Sequence, residues 1–337
     1  MWLSMSMAES ERSPRAQARG FHSVSSDRTV TANGTPREQP KLRAKATLFL
    51  NRSAGAKLPP GELEALRAAA AEEQVEILEL GDSIDCAAEI RDRLGRGTTL
   101  FIAAGGDGTI HHVLQAIVST EARLAVLPLG TYNHFARDLG IPLAWREALE
   151  VALTGESRQI DTGRVNDRFF VNNLSIGLYP ELVARREERG RHYPRWKARL
   201  YALYTTLRKY PHVNLAVAAD HRHEVVRTHL FLVSNNPYEL ERFGVEAPRS
   251  TLTEGRLSVY WLPHASRWML MKMVARYATG RVRSIPGFRS FRTLRMQVQS
   301  ARSQLKVGID GEVFTMPTPL TVTAVPQSLL VKVPRAR

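Results

Sequence analysis

The chain has 337 residues, 43% hydrophobic and 24% charged, with 47 Lys and Arg against 33 Asp and Glu for a formal charge of +14. That length predicts two domains, and the hydrophobic fraction excludes a wholly disordered protein. The single cysteine, Cys86, excludes an internal disulfide or a multi-cysteine metal cluster. No apolar run reaches the roughly 20 residues of a membrane-spanning helix, and the charge favours polyanionic partners.

Residues 1–44, rich in Ser, Arg, Thr, Gln and Pro, read as a disordered basic tail without the apolar core of a signal peptide. The stretch 46–50 predicts a buried strand that runs into the turn Asn51-Arg52-Ser53-Ala54-Gly55. A helix over 62–74, a strand over 75–80, a helix over 83–94 with Ile84, Ala87, Ala88 and Leu94 on its apolar side, a strand over 98–104, a helix over 110–118 and a strand over 124–129 follow. Strand and helix alternating over short connections predict an α/β domain with a parallel sheet, assigned to 45–162. From 163 to 337 the rhythm turns to strands over 168–171, 213–217, 225–233, 257–262, 294–299, 304–307 and 320–325. These predict an antiparallel β-sandwich with helical insertions over 194–209 and 266–279, its last segment packing back on the first domain.

The chemistry concentrates at strand-to-helix junctions. The apolar run 100–104 ends in Gly105-Gly106-Asp107-Gly108-Thr109, and Ile110, Val113, Leu114 and Ile117 then fall on one helical face. Glycines at a helix N-terminus let a ligand approach the backbone, and the N–H groups and helix dipole favour phosphate. A carboxylate at Asp107 fits there when a metal or a proton-bearing nucleophile accompanies the phosphate, which points to phosphoryl transfer from a magnesium nucleotide. The plain alternative is a tight turn with Asp107 as helix cap. The pattern is neither a P-loop nor a G-x-G-x-x-G dinucleotide turn. A second junction carries Gly130, Thr131 and Asn133, and carboxyl ends of neighbouring strands share one crevice. Asp310-Gly311-Glu312 reads as a hairpin turn that can also present a carboxylate.

Together with 160–161 and 170–177, these pieces resemble the diacylglycerol kinase catalytic-domain family, whose wider superfamily includes sphingosine and ceramide kinases, in order over about 47–315. The resemblance implies an ATP-dependent lipid kinase, with an N-terminal nucleotide-binding domain, a C-terminal β-sandwich and ATP with Mg2+ in the cleft between them. It implies Asn51, Gly105, Gly106, Asp107, Gly108, Thr109, Gly130, Thr131, Asn133, Gly311 and Glu312 at the nucleotide, and Asp310 or Asp107 as general base for a hydroxyl of a diacylglycerol-like or sphingoid-like lipid. His134 stands where the family often has Asp, and Glu254 where bacterial members often have Asp, so Glu254 is the candidate for a structural magnesium site.

Basic side chains interleaved with Trp, Tyr and Met around 185–209 and 267–295 suit helices lying on an anionic bilayer, the expected route to a membrane lipid from the cytoplasm. The alternative is that these apolar faces pack on the sandwich. His111, His112, His221 and His223 lack a convincing set of metal ligands. The rivals are a lipid-binding regulator without catalysis, an NAD kinase, and a nucleic-acid binder, which no motif supports; oligomerisation stays open.

Overall fold

The computed structural model describes residues 45–55, 58–81, 84–131, 133–177, 212–235, 252–263 and 289–335. The expected tail over 1–44, both helical insertions and most of the two basic stretches lie outside them.

The first half runs β1 (Ala46–Asn51), α1 (Arg52–Gly55), α2 (Glu62–Glu72), β2 (Glu76–Leu80), α3 (Cys86–Gly95), β3 (Leu100–Gly105), α4 (Asp107–Ile117), β4 (Arg123–Pro128), α5 (His134–Asp138) and α6 (Trp145–Thr154). The four strands are parallel in the order β4-β3-β1-β2. All of β3 and nearly all of β1 is buried, which explains their unbroken apolar sequence. The register sets Leu50 beside Ala104 and Ala104 beside Leu127, so the turns after β1, β3 and β4 leave the sheet at one level. Ile110, Val113, Leu114 and Ile117 hold α4 on the core. On α3 the buried positions are Cys86, Ile90 and Arg93 rather than the expected Ala88 face. Arg93 turns inward because Glu76 and Glu89 pair with its guanidinium and the Phe49 ring lies beneath it.

The second half runs β5 (Glu156–Val165), β6 (Arg168–Phe170), β7 (Asn173–Gly177), β8 (Val213–Ala219), β9 (Arg222–Ser234), β10 (Leu257–Pro263), β11 (Arg289–Thr293), β12 (Arg295–Ser300), β13 (Gln304–Ile309), β14 (Glu312–Pro317) and β15 (Leu320–Val333). Every pairing among these strands is antiparallel, and β8 and β12 alternate buried with exposed residues, the mark of a sheet with one face on a core.

β15 joins the halves. Its first part supplies Leu320, Val322 and Ala324 to the sandwich core; its end supplies Leu329, Val331 and Val333 to the α/β core. Between them the pairing with β5 shifts register around Pro326 and Gln327, the latter at φ 47°. Beyond that irregularity, Leu330 and Val331 pair in parallel with Arg123 and Leu124 of β4. The sheet is therefore continuous from the sandwich to the α/β half, and the β13–β14 hairpin lies next to α4.

Candidate active site

Three turns meet at the carboxyl edge of the parallel sheet. Asn51, at the end of β1, donates from Nδ2 to Thr109 Oγ1 (3.1 Å), and its Oδ1 accepts from Ala54 N (3.2 Å), so one amide fixes both the α1 turn and the start of α4. The turns after β3 and β4 touch backbone to backbone: a Cβ added at Gly130 would lie 2.4 Å from Gly106 Cα, and one added at Gly105 would lie 2.3 Å from Thr109 Oγ1. Glycine is required here by close approach, since neither position has a positive φ.

The sandwich contributes the fourth wall. A Cβ on Gly108 would lie 2.6 Å from Glu312 Oε1, so the first residue of β14 rests on the first turn of α4. His112 Nδ1 donates to Gly108 O (2.8 Å) and stands 3.8 Å from the same Glu312 oxygen. Glycines at 105, 106 and 108 and the positive end of an 11-residue helix give this junction the form of a cradle in which backbone N–H groups can favour an anion.

The two candidate bases sit in different surroundings. Asp107 is half-buried, and its carboxylate accepts long contacts from His134 N (3.4 Å) and Phe135 N (3.3 Å), capping α5 rather than its own helix. Asp310 is buried, at φ 47° in the turn with Gly311 at φ 95°, and its oxygens accept from Val171 N (2.8 Å), Asn172 N (2.8 Å) and Asn173 N (3.0 Å). The segment 170–177 is thus the platform that Asp310 clamps.

Other expected residues divide similarly. Thr131 is exposed at the crevice. Asn133 is buried in the left-handed region; its Oδ1 accepts from Gly130 N (3.0 Å) and its Nδ2 donates to Pro128 O and Gly130 O, so it builds the turn. His134 has an exposed side chain, and its backbone meets Asp107. Glu254 pairs with Arg292 at 2.8 Å, and among the described residues no three His, Cys, Asp or Glu side chains gather as a metal cage. Beside it, buried Asp161 accepts from Gly255 N and from Gln327 N (2.8 Å), holding the irregularity of β15.

A cavity of about 250 Å³ adjoins the cradle, lined by Ile84–Ala87, His111, His112, Gln115, Arg168, Glu312 and Phe314. The Arg168 guanidinium stacks 4.1 Å over the Phe314 ring. Burial pushes the Cys86 thiol up to about 11, so it lines the cavity as an inert hydrophobe. Gln115 and Arg168 escaped the sequence reading. The signal for Gln115 was a polar residue four positions after His111, flanking an apolar stripe; Arg168 gave none.

Residues 45–165 match the diacylglycerol kinase catalytic domain, and residues 179–333 match the YegS C-terminal NAD kinase beta sandwich-like domain. A diacylglycerol kinase of Mycobacterium tuberculosis is 25% identical over 270 residues, 77% of this chain and 86% of that protein. A Pseudomonas aeruginosa protein named "Probable lipid kinase YegS-like" is 41% identical over 101 residues, 29% of this chain and about a third (33%) of its own length. A crystal structure of a diacylglycerol kinase from Bacillus anthracis superposes with a TM-score of 0.60 at 17% identity, covering 86% of this chain and 96% of that one, which carries the fold alone. With the two models matched in tandem along one chain, on the turns that form the cradle, the chain carries a diacylglycerol kinase catalytic domain over 45–165 followed by a YegS-type sandwich domain over 179–333.

Proposed function

We propose that the protein is an ATP-dependent lipid kinase that transfers the γ-phosphate to a hydroxyl of a diacylglycerol-like or sphingoid-like lipid. The observation that carries this reading is the joint cradle: Asn51 bonded to Thr109, Gly106 against Gly130, and Gly108 beneath Glu312. Backbone N–H groups of 106–109 would hold the phosphates, Thr131 would reach them from the second junction, and the cavity beside Phe314 has room for the nucleoside.

Mg2+ fits the donor set. Glu312 offers a hard carboxylate oxygen beside the cradle, leaving Asp107 free, and an ion held by one or two carboxylates takes its other ligands from phosphate and water. When bound it would offset phosphate charge as the γ-phosphoryl group loosens.

Between Asp107 and Asp310 the geometry favours Asp107 as the base, because it is half-exposed at the cradle while Asp310 is buried and already accepts from three backbone N–H groups. The lipid oxygen would form its bond to the γ-phosphorus as the bond to the β–γ bridging oxygen breaks. The hydroxyl proton would pass to Asp107, and ADP would leave with the bridging oxygen. No helix among the described residues is long and apolar enough to cross a membrane. Access to a bilayer lipid is therefore assigned to the basic stretches with an anionic surface as partner, and the reading sets the enzyme at the cytoplasmic face.

The test is transfer of labelled γ-phosphate from MgATP to a lipid panel in anionic mixed micelles. Asp107→Asn is expected to lower kcat by about a hundredfold or more with the fold intact. Absence of ATP binding by the native protein would sink the proposal. Binding without transfer to any lipid would favour the regulator.

A further inference from the structure

Next to the cradle the described core holds a polar chain that the phosphate chemistry leaves unused. His111 is on α4, two residues past Thr109, with its side chain 2% exposed. Its Nδ1 has no hydrogen-bond partner, and it points at Asp310 Oδ2 from 3.7 Å. On the other side of the ring, Nε2 is 3.4 Å from Gln115 Nε2.

Gln115 settles which nitrogen carries the ring proton. Phe169 N donates to Gln115 Oε1 (3.0 Å), and Gln115 Nε2 donates to Phe169 O (2.7 Å), so both ends of the amide are pinned by one residue's backbone and cannot be exchanged. The remaining amide hydrogen is a donor. Against it His111 Nε2 can only accept, and in the neutral imidazole the proton then belongs to Nδ1, the atom that faces Asp310.

A gap of 3.7 Å is longer than a hydrogen bond, yet a shift of under about 1 Å of α4 toward the β13–β14 turn closes it. The same turn carries Glu312 onto Gly108. We propose that Gln115, His111 and Asp310 form a tautomer-locked relay in which His111 is a positioning residue: its Nδ1–H bonds Asp310 when the cleft closes on a nucleotide, and so fixes Glu312 at the phosphate cradle. The relay joins three elements, since Gln115 is anchored to β6, His111 rides on α4, and Asp310 clamps the turn before β7. It rests on the kinase reading only for its activity measurements.

Substitutions separate the two ring nitrogens. Asparagine at 111 places its amide N–H where Nδ1–H was, whereas glutamine places it nearer Nε2. His111→Asn is expected to keep kcat/KM for MgATP within about threefold and His111→Gln to lose about tenfold or more, at similar melting temperatures. Equal losses in both variants, tracking stability, would reduce His111 to packing and overturn the proposal.

A second measurement needs no catalysis. In the full-length protein labelled with ¹⁵N-histidine, two-bond ¹H–¹⁵N correlations should give His111 the Nδ1–H pattern, and Gln115→Glu, which offers an acceptor, should move it toward protonation on both nitrogens. An Nε2–H pattern in the native protein would sink the relay. If no lipid is phosphorylated, the kinase reading fails by itself, and this spectrum, with MgATP affinity of the two His111 variants, still decides the relay.

Discussion

The turns 106–108 and 310–312 each join an acid to glycine and meet across one cleft, yet their aspartates live in opposite environments. Asp107 is half-buried and takes two N–H contacts at 3.3 and 3.4 Å. Asp310 is buried, and takes three at 2.8 to 3.0 Å. A buried carboxylate that accepts three short backbone N–H bonds holds structure together; one loosely held at a half-buried helix start is the better placed for chemistry. Residue type and adjacency to glycine do not decide between those jobs. Burial and the number of donors do.

The largest expected effect tests this contrast directly. Asp310→Ala leaves three N–H groups without their acceptor, that of Val171 buried and those of Asn172 and Asn173 half-buried, and should destabilise the fold by about 3 kcal/mol in denaturant unfolding. Asp107→Ala removes only a cap and should cost about 1 kcal/mol, while activity falls far more than stability. Equal stability losses would break the comparison. Next in size is Gly130→Ala, whose Cβ meets the Gly106 backbone at 2.4 Å and should cost about 1 to 3 kcal/mol and weaken MgATP binding, read by calorimetry. Gly108→Ala meets only the far end of the Glu312 side chain, at 2.6 Å, so it should fold with a loss under about 1 kcal/mol and show its effect in turnover.

The alternation of strand and helix up to β4 and the buried stripe on α4 were legible because parallel strands and amphipathic helices write their periods plainly. So was the convergence of Asn51, Gly105–Thr109 and Gly130, since carboxyl ends of neighbouring strands must share a crevice. β5, β7, β11 and β14 were missed. β14 follows an Asp-Gly turn and mixes half-buried with exposed residues, which gives little periodicity. The double duty of β15 was also out of reach, because its division between two cores is made by pairing partners far away in sequence. The resemblance sets Asn133 at the nucleotide; that its amide builds the turn through Pro128 and Gly130 is a matter of rotamer and not of motif.

The smallest effect lies away from the cleft, where the arrangement at Asp310 is inverted: here the cation is buried and the acids are open. Arg93, 10% exposed at its side chain, holds Glu76, 57% exposed, and Glu89, 41% exposed. The hydrogen bond from Arg93 keeps the Glu76 carboxyl below its usual 4.5, against a smaller upward push from burial. A depressed carboxylate adds stability that is fully present above the unfolded-state value and is lost as pH falls through the folded one. Acidification below about pH 4.5 should therefore remove this share, a few tenths of a kcal/mol once solvent screening of the exposed acid is allowed for. Arg93→Met keeps the packing over Phe49 and removes the donor, so its unfolding free energy should fall less steeply between about pH 5 and pH 3 than that of the native protein. If the two slopes coincide, the acid sensitivity belongs elsewhere. The first alternative is then Glu79, whose carboxyl is lowered by Arg67 and Arg52 at the same sheet edge, and Arg67→Met would be the variant that flattens the curve.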